Sequence, residues 1–276
     1  MALAMGILFL VLLVLTAVSA AGELVGLTCL DWSKDGRYIL YVAGGEVWVG
    51  WAPEGRKPWR VSGGADTDWA RFGPGDWLVY ATLEPEGYVL WRSDLEGRRQ
   101  PLLSQRTSIL RPTVSSDGSK VAFVGDRDGQ VDLYLLDLDS REVRRLTFTP
   151  GPEDTPDFSP DGRFLAFVGL WEIGSAPASW EVFVLDLQDG GVEQITEDGH
   201  FDWAPRFSPD GEWMAFESTS RGSSDIHLIR RDGSERVAFT LDRWRDAFPC
   251  WCPLGDRIAY GSLRSGGWVI LVDRIS

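Results

Sequence analysis

The stretch that decides the fold is PDFSPDGRFLAF, residues Pro156 to Phe167. Its Ser-Pro-Asp-Gly segment predicts a tight turn, because Pro fixes φ and Gly accepts the left-handed backbone that such turns need. The residues after the turn alternate apolar side chains and predict a β-strand. Almost the same phrase, PRFSPDGEWMAF, returns at residues 205–216. The phrase is therefore a repeated unit.

Six copies of this unit fill the chain from about residue 29 to its end. The residue before each turn, here called the anchor, is Trp32, Phe72, Val114, Phe158, Phe207 or Trp251, at intervals of 40, 42, 44, 49 and 44 residues. Each copy contains three short runs with a period of two, and the first five copies add a fourth, so the unit predicts four antiparallel strands. Four such strands per repeat of this length predict an all-β fold, a six-bladed β-propeller. We expect its blades to start near residues 29, 69, 111, 155, 204 and 248.

The last blade is predicted to have only three strands. Five copies close with Ser or Thr, 10 or 11 positions before the next anchor: Ser62, Ser104, Thr147, Thr196 and Thr240. The same count back from Trp32 falls on Ala21 or Gly22, inside an apolar N-terminal segment. The edge of the last strand, residues 267–273, is then left without a partner strand. The alternative is that a retained N-terminal segment covers this edge.

The N-terminal segment predicts export. No charged side chain occurs before Glu23, and small residues follow an apolar run centred on residues 7–15. Residues 1–21 are interpreted as a signal peptide or an uncleaved signal anchor, and residues 22–276 as the propeller. Both interpretations place the propeller outside the cytoplasm, whether periplasmic, secreted or anchored and facing outwards. We expect membrane contact only through such an anchor, and we expect a monomer.

The repeat, with its P-x-F-S-P-D-G turn, acidic later turn and closing Leu-Thr, resembles that of the TolB-type six-bladed propellers. Related repeats occur in the propellers of prolyl-oligopeptidase-like and tricorn-type peptidases. The resemblance concerns the propeller part only and identifies a fold rather than an activity. In the TolB-type propellers a peptide of a protein partner docks at the channel mouth, so the resemblance implies such a partner here.

The loops that lead into each first strand are expected to gather around one mouth of the central channel. The candidate partner-binding residues in these loops are Asp68, Trp69, Asp154, Asp202, Trp203 and Asp246. Carboxylates and aromatic rings around a mouth suit a cationic or amide-rich ligand such as a peptide. One loop interrupts the acidic ring with Arg106 and Arg111. The alternative is that the carboxylates cap loop amides and the rings pack between blades.

The composition argues against other classes of function. A formal net charge of −14 repels phosphate backbones, so no nucleic-acid partner is expected. The chain has no G-x-S-x-G motif, only two histidines, and no His/Cys set with zinc spacing. We therefore predict a non-catalytic binding propeller without cofactor or metal. The alternative is a propeller-type hydrolase or lactonase that uses channel carboxylates and a divalent metal.

The positions just before the anchors test that alternative. They are Asp31, Arg71, Thr113, Asp157, Arg206 and Cys250. Two acids opposed by two arginines predict internal charge pairing rather than a metal cage.

Three cysteines could close the ring. Cys29 is predicted on the first inner strand, and Cys250 and Cys252 on the last one. An exported protein can hold a disulfide between these neighbours, and the alternative is three buried thiols.

Overall fold

The computed structural model describes residues 26–52, 57–61, 67–171, 179–265 and 267–275. The segment assigned to a signal peptide or anchor lies outside these residues. The described residues hold no helix that is long and apolar enough to cross a membrane.

The described strands form six antiparallel sheets, one per repeat. The strands are β1 Leu27–Trp32, β2 Tyr38–Ala43, β3 Glu46–Trp51, β4 Trp59–Arg60, β5 Ala70–Phe72, β6 Trp77–Glu84, β7 Gly87–Asp94, β8 Arg99–Gln105, β9 Leu110–Val114, β10 Lys120–Gly125, β11 Asp132–Asp137, β12 Val143–Arg145, β13 Glu153–Phe158, β14 Phe164–Trp171, β15 Ser179–Asp186, β16 Val192–Gln194, β17 Asp202–Phe207, β18 Trp213–Ser218, β19 Asp225–Arg230, β20 Arg236–Ala238, β21 Arg245–Trp251, β22 Arg257–Arg264 and β23 Gly267–Arg274. Five sheets have four strands, and the sixth, β21–β22–β23, has three. The predicted six-bladed propeller with a three-stranded last blade is confirmed, with blade starts within three residues of those expected.

The Ser-Pro-Asp-Gly segment folds as the predicted turn. The Ser159 hydroxyl donates to the Asp161 carboxylate at 2.5 Å and accepts the amide of Phe164 at 2.9 Å. The backbone closes from Gly162 N–H to the Ser159 carbonyl at 2.9 Å, and Gly162 has a φ of 71°. Gly is required there because a Cβ would strain a left-handed backbone. The repeated phrase therefore encodes a self-contained turn between the first two strands of a blade.

Each blade buries both of its faces against neighbouring blades. Leu40 and Val42 of β2 pack on the second blade, whereas Ile39 and Tyr41, on the opposite face, pack on the sixth blade. Four further apolar clusters join the remaining consecutive blades. Alternate residues of a strand point to opposite faces, so a period-two pattern that is apolar on both faces suits this stacking.

Four first strands carry the same β-bulge. A residue with positive φ precedes a proline in each: Arg111–Pro112, Thr155–Pro156, Ala204–Pro205 and Phe248–Pro249. The strand register shifts at the same places. Proline suits a bulge because it lacks the N–H that a regular ladder would use. Three of the predicted partner-binding acids, Asp154, Asp202 and Asp246, lie one or two residues before these bulges.

The three cysteines are buried free thiols. The sulfur of Cys29 accepts a hydrogen bond from the Arg71 guanidinium at 2.7 Å. The ring-closing disulfide left open by the sequence is not formed in this structure, and the ring is closed by the apolar cluster between the sixth and first blades.

The three-stranded blade leaves one edge of β23 without a strand partner among the described residues. We predict that its outward amides exchange hydrogen much faster than those of β19, which lies between β18 and β20. Hydrogen exchange on the monomer, resolved at Trp268–Val272, measures this. Equal protection along both strands would show that another segment pairs with β23 and would contradict the prediction.

Candidate functional site

The first strands surround a central channel with two different ends. The end reached by the loops between blades is here called the loop face. The end that carries the Ser-Pro-Asp-Gly turns is called the turn face. Five of the six residues just before the anchors, all but Cys250, line the channel near the turn face.

Arg206 lies at the centre of a charge network in the channel. Its guanidinium binds the carboxylate of Asp31 in the first blade and that of Asp157 in the fourth blade, the latter at 3.1 Å. Asp31 also accepts a hydrogen bond from the backbone amide of Phe72 at 2.8 Å. Asp157 accepts one from the backbone amide of Phe207 at 2.9 Å. Burial alone would lower the pKa of Arg206, but the two carboxylates raise it above its usual value. Internal charge pairing, as predicted from the sequence, is what the structure shows.

Arg71 is the second buried arginine of the channel. Its guanidinium donates to the Leu30 carbonyl at 3.2 Å and stacks on the ring of Trp69, 4.4 Å from the ring centroid. Burial lowers the pKa of Arg71.

The channel opens on the turn face into a cavity of about 350 Å³. Its wall is formed by the six anchors, Trp32, Phe72, Val114, Phe158, Phe207 and Trp251, and its floor by Asp31, Arg71, Asp157 and Arg206. At the rim, Lys34 of the first blade donates to the Ser116 carbonyl of the third blade at 2.8 Å. Concave apolar walls with a few convergent polar groups are typical of a binding site. The sequence identifies the anchors only as markers of the repeat, so this cavity was not predicted from it.

On the loop face the structure brings Asp68 and Asp154 together around Arg111. The Arg111 guanidinium binds Asp68 and lies 3.4 Å from Asp154. The buried ring of Trp69 lies under the same guanidinium, 5.0 Å from its carbon. Arg111 was expected to interrupt an acidic ring, whereas in the structure it joins two of the acids. Asp68, with half of its side chain exposed, is the most accessible member.

The remaining predicted residues lie at different depths. Asp202 and Asp246 are buried at 0% and 1% exposure and contribute no surface to the loop face. Trp203 is partly exposed; it stacks on Phe201 with centroids 5.3 Å apart and meets Trp180 edge-on at 4.9 Å. The accessible part of the predicted site is therefore a rim of Asp68, Asp154 and Trp203.

Glu153, next to Asp154, belongs with the buried acids. It accepts the hydroxyls of Thr147 and Thr149. Burial raises the pKa of Glu153 to about 7, although these two hydrogen bonds oppose the shift. The threonine that closes a fourth strand thus binds an acid of the next blade. The only sign of this contact in the sequence is the constant spacing between each closing Ser or Thr and the next anchor.

The match to a known family supports the repeat analysis. Residues 76–276 match the TolB beta propeller domain. The chain belongs to the TolB beta propeller domain family. A Tol-Pal system protein TolB of Alcanivorax borkumensis is 35% identical over 83 residues, which are 29% of this chain and 19% of that protein. An uncharacterized protein of Agrobacterium fabrum is 27% identical over 148 residues, 54% of this chain and 34% of that protein. The chain thus matches only about a third or less of these relatives' lengths.

Solved structures share the fold of this TolB propeller family member. A TolB-like protein from Agrobacterium tumefaciens superposes with a TM-score of 0.71 at 22% identity and covers 92% of each chain. TolB from Acinetobacter baumannii gives 0.69 at 18% identity and covers 90% of this chain and 63% of that one. An oligogalacturonate lyase from Vibrio parahaemolyticus gives 0.59 at 14% identity, over 89% and 76%. Because binding proteins and enzymes share the architecture, the fold alone assigns no chemistry.

Glu217 provides a test of the buried acids. Burial raises its pKa to about 7, although the Phe248 amide, Arg245 and Ser224 oppose the shift. An acid whose pKa is higher in the folded than in the unfolded protein stabilises the fold while it is protonated, at low pH. This stability is lost as the pH rises through the folded-state pKa. We predict that the free energy of unfolding falls between pH 5 and 7.5, and that Glu217→Gln removes about 2–3 kcal/mol of that fall.

Urea unfolding at several pH values measures this slope. Glu193→Gln, on the exposed side of β16 in the neighbouring blade, is the control and should keep the wild-type slope. An unchanged slope in Glu217→Gln would contradict the prediction.

Proposed function

We propose that this protein is an exported, non-catalytic propeller that binds an extended segment of a protein partner at its central channel. The observation that carries the proposal is the turn-face cavity, which has apolar and aromatic walls from all six blades and a polar floor. Its volume of about 350 Å³ suits one or two large side chains of a peptide. The Tol-Pal system relatives are consistent with a protein as the partner.

The floor of the cavity indicates what kind of segment fits. The floor holds two acids, Asp31 and Asp157, and two arginines, Arg71 and Arg206, so its formal charges cancel. The exposed cation at the rim is Lys34. A segment with an apolar or aromatic side chain for the cavity and a carboxylate near Lys34 complements both features.

The loop face is proposed as a second contact surface. Its accessible residues, Asp68, Asp154 and Trp203, retain the acidic and aromatic character that suits a cationic or amide-rich segment. The buried Asp202, Asp246 and Trp69 support this surface from beneath rather than contacting a partner.

Paired channel carboxylates also favour binding over catalysis. A metal-dependent hydrolase or lactonase would need channel carboxylates free to hold a metal ion. The carboxylates of Asp31 and Asp157 instead bind Arg206 and backbone amides. We therefore propose no reaction at the channel.

A photo-crosslinking residue at Trp251, in the wall of the cavity, tests the proposed binding site. We predict that it captures a protein from an envelope extract, whereas the same residue at exposed Arg37, away from the lining of the cavity, does not. Ser116→Trp should reduce capture at least about tenfold, because the added ring fills the opening of the cavity.

Ser140→Trp, in an exposed turn after β11, is the matched control and should leave capture unchanged. Undiminished capture by Ser116→Trp would exclude the cavity. If the double variant Asp68→Lys/Asp154→Lys abolished capture while Ser116→Trp did not, the loop face would be the primary site.

A further inference from the structure

A set of three residues recurs at the junctions between blades on the loop face. The first residue is an acid at or near the start of the third strand of a blade. The second residue lies 17 positions later. The third is an acid of the next blade, four positions after the second. The sets are Asp132/Thr149/Glu153, Glu181/Asp198/Asp202 and Asp225/Asp242/Asp246. The last two sets are fully acidic.

Glu181, Asp198 and Asp202 converge on one point between the fourth and fifth blades. Their ligand oxygens all lie within 4.8 Å of one another, and among the described residues no other group of His, Cys, Asp and Glu meets this condition. Two oxygens that bind one Ca²⁺ at about 2.4 Å can be at most about 4.8 Å apart, so the three carboxylates fit a single Ca²⁺. The corresponding limit for Mg²⁺ is tighter, about 4.2 Å.

The environment of Asp202 indicates a bound ligand. Its side chain is fully buried, and neither carboxylate oxygen has a hydrogen-bond partner among the described residues. Leaving a buried carboxylate without a partner is costly, because the charge loses its hydration without replacement. A bound cation would satisfy both oxygens.

The neighbouring arginine does not supply that partner. Arg236 donates to Asp198 and, at 2.7 Å, to the Ser218 hydroxyl, while its nearest nitrogen lies 3.8 Å from Asp202. Three carboxylates and one guanidinium leave a formal charge of −2 at this point. A divalent cation neutralises that charge.

Glu181 is oriented towards the same point by neighbouring donors. The Thr196 hydroxyl and the Gly199 amide donate to its two oxygens at 2.7 and 3.0 Å. The Ser179 hydroxyl also donates to Oε1, so Oε1 accepts two hydrogen bonds and Oε2 accepts one. These bonds fix the carboxylate and leave a lone pair on Oε2 for a metal ion. Asp198 is fixed likewise, since its Oδ1 accepts the His200 amide at 3.0 Å.

We propose that Glu181, Asp198 and Asp202 bind a divalent cation of the Ca²⁺ class, which clamps the fourth blade to the fifth. Glu181 lies near the start of β15, the third strand of the fourth blade, and Asp202 begins β17, the first strand of the fifth. The ion lies next to Trp203, so its binding also fixes one part of the aromatic rim on the loop face. The site involves no channel residue and does not depend on the proposed partner.

Calcium titration of the full propeller tests the site. Isothermal titration with CaCl₂ is expected to show one ion per chain, and saturating CaCl₂ is expected to raise the thermal midpoint by about 5 °C relative to EDTA. Asp202→Asn and Asp198→Asn should each weaken Ca²⁺ binding at least about tenfold. MgCl₂ at the same concentration should produce a smaller shift.

Asp242→Asn is the matched control, because Asp242 occupies the place of Asp198 in the next set and is likewise exposed. It should keep wild-type Ca²⁺ binding. Asp198 lies at the surface, so Asp198→Asn tests the site even if Asp202→Asn does not fold. Absence of binding heat and of a thermal shift at about 10 mM CaCl₂ would overturn the proposal. An equal loss of binding in Asp242→Asn would overturn it as well.

Discussion

The structure depends on one constraint, which is that six blades must close into a ring around charged side chains. Arg206 meets this constraint at the centre, because it binds acids of the first and fourth blades from its place in the fifth. The two acids in turn accept amides of the next blades along the chain, Phe72 and Phe207. A buried charge network of this kind contributes specificity more readily than net stability, since desolvation offsets much of the attraction. Here it links the inner strands of the first, fourth and fifth blades across the channel.

The same network separates the two ends of the channel. On the turn face it forms a neutral floor beneath a ring of apolar anchors, which leaves a cavity suited to side chains. On the loop face, buried acids lie behind the surface, and Arg111 bridges the two acids that remain accessible. A propeller can thus present two chemically different surfaces from a single repeated sequence, because the two ends of each first strand lie at opposite ends of the channel.

Much of this fold follows from the sequence because its determinants are local. The Ser-Pro-Asp-Gly turn is specified by four adjacent residues, and the missing strand of the last blade follows from the spacing between each closing Ser or Thr and the next anchor. The depth of the loop acids is not local. Asp202 stands five positions before its anchor and is buried, whereas Asp68 stands four positions before its anchor and is half exposed. Only the packed blades show which of these two positions faces inwards. The turn-face cavity was also beyond prediction, since it arises only when six anchors meet.

The central claim is that Arg206 and its two acids act as one unit that holds non-adjacent blades. Urea unfolding of Arg206→Met, of Asp31→Asn/Asp157→Asn, and of the triple variant measures this directly. The account predicts that Arg206→Met costs about 3–5 kcal/mol, because it leaves two buried carboxylates unpaired. The loss of unfolding free energy in the triple variant should be at least about 2 kcal/mol smaller than the sum of the losses in Arg206→Met and in Asp31→Asn/Asp157→Asn. Additive losses would show that the three residues act independently, and the account would be contradicted.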